Sequence, residues 1–175
     1  MAVTICDFLG RLDAEIPFCL AESWDNCGLQ AGRPEASVTK VLVALDVTMD
    51  VMAGALAWGA DLVLTHHPLM IAPLKQLDFS VMPGSAIALS AAHNISIISL
   101  HTNLDKARGG LNDYFAGLLG LTQIACLQPS FENNEVNGCV EGIGRVGHLA
   151  VPVTLATLGE QVKKIFKAGY VRRVG

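Results

Sequence analysis

Three short apolar runs, separated by segments of helical character, constrain this chain most. They are VTKVLVALDV at 38–47, LVLT at 62–65 and ISIISL at 95–100. A strand with one wet face alternates polar and apolar residues, whereas a strand covered on both faces stays apolar throughout. All three runs are therefore read as buried strands. The stretches between them carry helix signals. Thr48 is placed to cap a helix that reaches Trp58, and Gly59 to end it. Residues 85–93 supply the next helix. Upstream, Ile5, Phe8, Leu9, Leu12 and Ile16 recur at helical spacing until Pro17. Downstream, GGLNDYFAGLLG (109–120) is a short helix between glycines. Strands alternating with helices predict an α/β fold, a mostly parallel sheet flanked by helices.

The remainder is less patterned. AESWDNCGL (21–29) reads as a polar loop, and PLMIAPLKQLDF (68–79), with two prolines, as irregular chain. CVEGIGRVGHL (139–149) looks like a strand interrupted by glycine. Residues 154–167 form an amphipathic helix with Leu155, Leu158, Val162, Ile165 and Phe166 on its inner side. VRRV (171–174) opens what reads as another strand.

Ligands of open α/β sheets bind beyond the carboxyl ends of parallel strands. Here the first strand ends at Asp46, the second at His66 and His67, and the third in His101, Thr102, Asn103 and Asp105. As parallel neighbours, these ends share one crevice. Imidazole and carboxylate together suit a divalent metal such as zinc, iron or manganese. A turn after His101 lets Asp105 reach back over the strand ends. Adjacent His66 and His67 fit two ions more easily than one, and paired ions support metal-assisted hydrolysis. Asp46 has a second reading, in which it joins Thr48 in capping the following helix. His93 suits a helix C-terminus, Gly109 and Gly110 a turn, and His148 carries no assignment.

Composition excludes several classes. The 175 residues, 51% hydrophobic, suffice for a real core, but no apolar run approaches the roughly 20 residues of a membrane span. Net charge is −4, which leaves no electrostatic footprint for nucleic acid. The five cysteines form no C-x-x-C pair, and no secretory leader is visible, so reduced, buried or half-buried thiols and a cytoplasmic location are expected.

LAESWDNCGLQAG, VLVALDVT, GADLVLTHHPLM, HTNLD with GGLND, and GRVGHL follow one another in this order. With these blocks the chain resembles the Nif-three-like family (NGG-interacting factor three), whose bacterial members are often labelled GTP cyclohydrolase I type 2 homologues. The resemblance runs from about residue 3 to the end. It implies an α/β protein with a dinuclear metal centre, two ions per subunit, and assembly as a homohexameric ring. By position it makes His66, His67 and Asp105 metal ligands, and places His101 and the Trp24–Asn26 loop beside the metals. It implies hydrolysis of a nucleotide or another small molecule, with His101 moving protons. The alternative is a non-enzymatic metal-binding regulator or interaction protein, inactive as this fragment. Members of the family continue well beyond this length, and their second half supplies a further His and Glu that this sequence lacks. Residues 1–128 are accordingly expected to form the metal-site domain and 129–175 the start of a truncated second α/β half, with apolar surface left exposed.

Overall fold

The computed structural model describes residues 2–130, 135–136 and 139–174, with side chains described outside 131–140. The chain divides into two compact units at Leu104/Asp105.

The first unit is built on a four-stranded sheet. Its elements are α1 (Ile5–Glu15), β1 (Gly28–Ala31), β2 (Val41–Ala44), α2 (Met49–Trp58), β3 (Leu62–Thr65), α3 (Gly84–His93) and β4 (Ser96–Ser99). The strand order is β1-β4-β3-β2. β2, β3 and β4 are parallel, and β1 closes the β4 edge antiparallel. Successive strand residues face opposite ways, and two cores result. Val63 and Ile97 pack with Met52 and Ala55 of α2 and Ala86 of α3. Leu62 and Ile98 pack on the other face with Ile5, Phe8, Leu9 and Leu12 of α1. The mostly parallel sheet flanked by helices is the expected fold class.

Local signals set the helix ends, at Thr48 and Gly59 as expected and at Thr4 in addition. Thr4 and Asp7 form a reciprocal capping box on α1, and Thr48 Oγ1 accepts from Val51 N to start α2. Gly59 ends α2 in the left-handed region at φ +71°. Several expectations need correction. The AESWDNCGL segment is a loop only up to Cys27, because Gly28 and Leu29 begin β1, paired to Ser99 and Ile98. Residues 171–174 form no strand, and Val174 stands 91% exposed.

The second unit contains α5 (Leu111–Leu118), β5 (Leu121–Pro129), β6 (Glu135–Val136), β7 (Cys139–Val140), β8 (Gly142–Leu149) and α6 (Leu155–Ile165). The one-turn helix α4 (Thr102–Lys106) spans the division. β5 pairs antiparallel with β8, and β6 with β7. The glycine-interrupted strand expected over 139–149 is two strands, broken at Glu141. β5 shows no clean alternation because its register slips between Thr122 and Ala125, where Gln123 has φ +51°. Gly142 is required by close approach, since a Cβ there would collide with the Gln128 carbonyl. Cys6 and Cys19 are exposed rather than buried, while Cys27 and Cys126 are half-buried. The Cys139 side chain lies outside the described residues.

Candidate metal centre

Pairing register sets the site. Ala44, Thr65 and Ser99 lie level across β2, β3 and β4. Two residues beyond that row stand Asp46, His67 and His101, and one residue beyond it stands His66. Backbone bonds extend the ladder past the strands: His67 N donates to Leu45 O (2.9 Å) and Leu100 N to Thr65 O (2.9 Å). The chain then turns out of the sheet. Thr65 Oγ1 donates to the His67 carbonyl (2.9 Å), and the Ser99 hydroxyl lies 2.9 Å from Thr65 Oγ1. These two buried hydroxyls at the strand ends bend the main chain under His67.

That bend changes the expected geometry of the pair. Strand alternation sends His66 and His67 apart, yet their ring centroids lie 5.0 Å from each other. His101 joins them at 5.2 Å from His66 and 5.7 Å from His67. One ligand nitrogen from each ring falls within 4.8 Å of the others, so the three histidines can hold a metal ion. His66 and His101 are half-buried and His67 is exposed.

Each imidazole is oriented through Nδ1. His66 Nδ1 lies 3.0 Å from the Leu100 carbonyl. His67 Nδ1 lies 2.6 Å from Asp46 Oδ1, and His101 Nδ1 lies 3.0 Å from Asp25 Oδ1. An acceptor at Nδ1 places the proton there and leaves the Nε2 lone pair for a cation. Three rings with the same tautomer demand are donor chemistry that fits a divalent metal. Asp46 therefore serves His67, and the capping of α2 falls to Thr48 alone.

Asp25 has a fully buried side chain. It accepts from His101 Nδ1, from Thr102 N (3.0 Å), from Thr102 Oγ1, and from Cys27 Sγ (3.2 Å). Burial works to raise its pKa, but the bonds from Thr102, His101 and Cys27 outweigh it and hold the carboxyl well below the usual carboxylate range. The Cys27 thiol is pushed up to about 11, by burial first and then by Asp25, so it remains a protonated donor. Beneath His101, its backbone N donates to Asn103 Oδ1 (2.9 Å), and Asn103 Nδ2 donates to the Ile16 carbonyl (3.2 Å). Asn103 is fully buried.

The remaining candidates are placed as follows. Trp24 is a rim residue, 59% exposed, with its ring centroid 6.1 Å from that of His101. Asp105 is half-buried on α4, in the second unit, and its backbone carbonyl accepts from Asn112 Nδ2 (2.8 Å). His93 ends α3, and His148 lies on β8. Gly109 and Gly110 make the turn before α5, with Gly109 at φ +71°. Residue spacing did not single out Asp25, although the resemblance pointed to its Trp24–Asn26 loop. Its signal was a carboxylate between Trp24 and Asn26, three residues ahead of the Gly28 strand start.

Fold and site together define an α/β protein whose parallel strands end at three convergent histidines able to hold a metal. The family model of Duf34/NIF3 (NGG1p interacting factor 3) matches residues 3–175, and the chain belongs to that family. A Clostridium acetobutylicum relative named GTP cyclohydrolase 1 type 2 homolog is 34% identical over the whole chain, which covers 64% of that protein. A Lactococcus lactis relative of the same name is 37% identical over 97% of the chain and 62% of its own length. The chain thus spans less than two thirds of these relatives. Among solved structures, Staphylococcus aureus hypothetical protein SA1388 matches at TM-score 0.89 and 28% identity, over 100% of this chain and 68% of that one. Reduced HcgD from Methanocaldococcus jannaschii matches at 0.78 and 28%, over 94% and 60%. Among the described residues, no helix is long and apolar enough to cross a membrane.

Proposed function

We propose that the chain carries a divalent-metal hydrolase centre, dinuclear in the assembled protein, that opens the ring of a nucleotide in the manner of a GTP cyclohydrolase of type 2. What supports this most is the convergence of three imidazoles with Nδ1 occupied and Nε2 free. The names of the curated relatives point to the same chemistry.

His66, His67 and Asp105 are the proposed ligands, for two ions drawn from zinc, iron or manganese. When bound, such ions supply Lewis acidity and a water nucleophile at neutral pH. Asp46 and the Leu100 carbonyl hold the two ligand imidazoles in one tautomer. His101 is the proposed proton carrier. Its Nδ1 is anchored on the buried Asp25, as the base of a catalytic dyad is anchored on a carboxylate. It takes a proton from the water that adds to a ring carbon and returns it to the ring nitrogen that departs. In this reading residues 1–128 form the metal-site domain and 129–175 begin the second half. The working protein is a cytoplasmic homohexamer.

The test is to load the protein with Zn, Mn or Fe, verify two equivalents per chain by elemental analysis, and follow GTP ring opening by absorbance. Absence of turnover in fully metallated protein rejects the hydrolase. A non-enzymatic interaction protein is the second reading, favoured by exposed apolar side chains such as Leu127 (66%) and Val151 (68%). It gains if a cellular effect of the gene survives replacement of His66 and His67 by Ala.

A further inference from the structure

The two tryptophans of this chain are both exposed, and they differ in what surrounds them. Trp58 is 53% exposed but has a cationic partner, with Lys40 Nζ 5.4 Å from its ring centroid. Trp24 is 59% exposed, and its ring neighbours that of His101. The two planes stand 78° apart, so the imidazole does not lie flat on the indole.

The loop bearing Trp24 is tied down on both sides. Glu22 N donates to Thr102 Oγ1 (2.9 Å), and Asp25 binds His101 and Thr102. Asn26 Nδ2 donates to the Met70 carbonyl (2.7 Å), and Gln30 Nε2 donates to the Asn26 carbonyl (2.7 Å). Trp24 is thus held in place without being buried. Within the given chain it belongs to no core, at 59% exposure. Leaving an indole in water forgoes burial free energy that the fold itself does not recover. A large aromatic face fixed beside convergent polar groups is the arrangement by which sites grip flat ligands.

We infer that Trp24 is the ring-binding wall of this site, stacking the planar heteroaromatic ring of a substrate, of the nucleobase class, whose reacting atoms face His66, His67 and His101. This rests on the nucleotide reading proposed above and specifies what part of the nucleotide is recognised. A cationic ligand also suits an indole face, but a metal cation held at His66 and His67 disfavours a second positive charge next to it. A neutral ring carries no such penalty. Stacking on an aromatic side chain is tolerant of base identity, so the wall selects flatness more than a particular base.

The experiment uses the full chain in a Trp58→Phe background, so that fluorescence reports Trp24 alone. The probes are GTP, guanosine monophosphate, ribose 5-phosphate and inorganic tripolyphosphate, with binding also measured by calorimetry. The two guanine compounds are expected to quench Trp24, and the two ringless probes are not. Trp24→Leu is expected to weaken GTP binding about tenfold or more, with zinc stoichiometry and tripolyphosphate binding unchanged. Trp24→Phe restores part of the loss. Equal GTP affinity in Trp24→Leu overturns the inference, as does GTP binding fully matched by tripolyphosphate. Failure of the guanine compounds to bind at all overturns it too. So does a Trp24→Leu effect confined to sedimentation mass, which would assign the indole to an interface between copies. Trp24-dependent binding without ring opening would reject the hydrolase and leave the ring wall standing.

Discussion

The two units of this chain use different means to hold together. In residues 2–104 the apolar strands are covered on both faces, and Ile5, Met52, Leu62, Val63, Ile97 and Ile98 are fully buried or nearly so. In residues 105–174 the buried apolar side chains are, among the described residues, Ala107 and Ala116. α6 buries none, although Leu155 and Phe166 lie on its apolar side. A polar hub takes the place of a core. Arg145, almost fully buried, donates to the carbonyls of Gly142, Gly144 and Ala107 and pairs with Asp113. The lesson is that amphipathic pattern makes an element, whereas burial depends on something to cover it.

The sharpest way to break this comparison is a pair of truncations. Ile97→Ala should cost about 4 kcal/mol, because a cavity opens between helices and sheet. Val151→Ala, at an exposed position of the second unit, should cost less than about 0.5 kcal/mol. Chemical denaturation of both variants checks the contrast, and similar costs would refute it.

Next in size is the polar hub. Arg145→Ala orphans several carbonyls and a carboxylate, and should cost about 3 kcal/mol, read by hydrogen exchange at β8 and α5. The pH dependence has a definite sign. Burial tends to raise the Asp113 carboxyl, but the Arg145 and Gly109 N–H bonds and nearby arginine charge win, so its pKa is lowered in the folded chain. That contribution is full above the unfolded carboxylate value near 4 and is lost as pH falls through the lower folded value. Arg145→Ala should therefore flatten the acid limb of stability. An unchanged limb would assign it elsewhere.

Within the first unit, the two carboxylates that orient histidines can be ranked. Asp25 is buried and five times bonded, while Asp46 is half exposed on one bond. Asp46→Ala, which frees a proposed ligand, should weaken zinc binding about tenfold, measured by competition with a chelator, whereas Asp25→Ala, which frees the proposed proton carrier, should leave zinc bound and slow GTP ring opening about 100-fold. The smallest contrast concerns helix caps. Thr48→Ala and Thr154→Ala each remove a side-chain acceptor from a helix start and should each cost about 1 kcal/mol. The first should lower global stability, because α2 packs in the core. The second should appear only as faster exchange in α6.

Much of this was legible from residue pattern. Runs of β-branched and aliphatic residues located β2, β3 and β4, since sequence carries burial on both faces as an absence of alternation. Thr48 and Gly59 bounded α2 because caps act through neighbouring backbone groups. β1 was hidden because its strand begins within a polar loop and exists only through pairing with Ser99 and Ile98. β5 was hidden by its register slip. The expected strand at 171–174 is not formed, because β propensity alone makes no strand.

The site divides the same way. Sequence alone determined that two histidines follow β3 and a third follows β4, because strand ends are set by local pattern. Only tertiary structure decided that the three rings converge. Convergence depends on the level register of Ala44, Thr65 and Ser99, and on two hydroxyls from different strands that bend the chain under His67. It also decided that Asp25, 76 residues before His101, fixes that ring. Such contacts have no spacing rule in sequence. They arise where folding brings distant segments within hydrogen-bond reach.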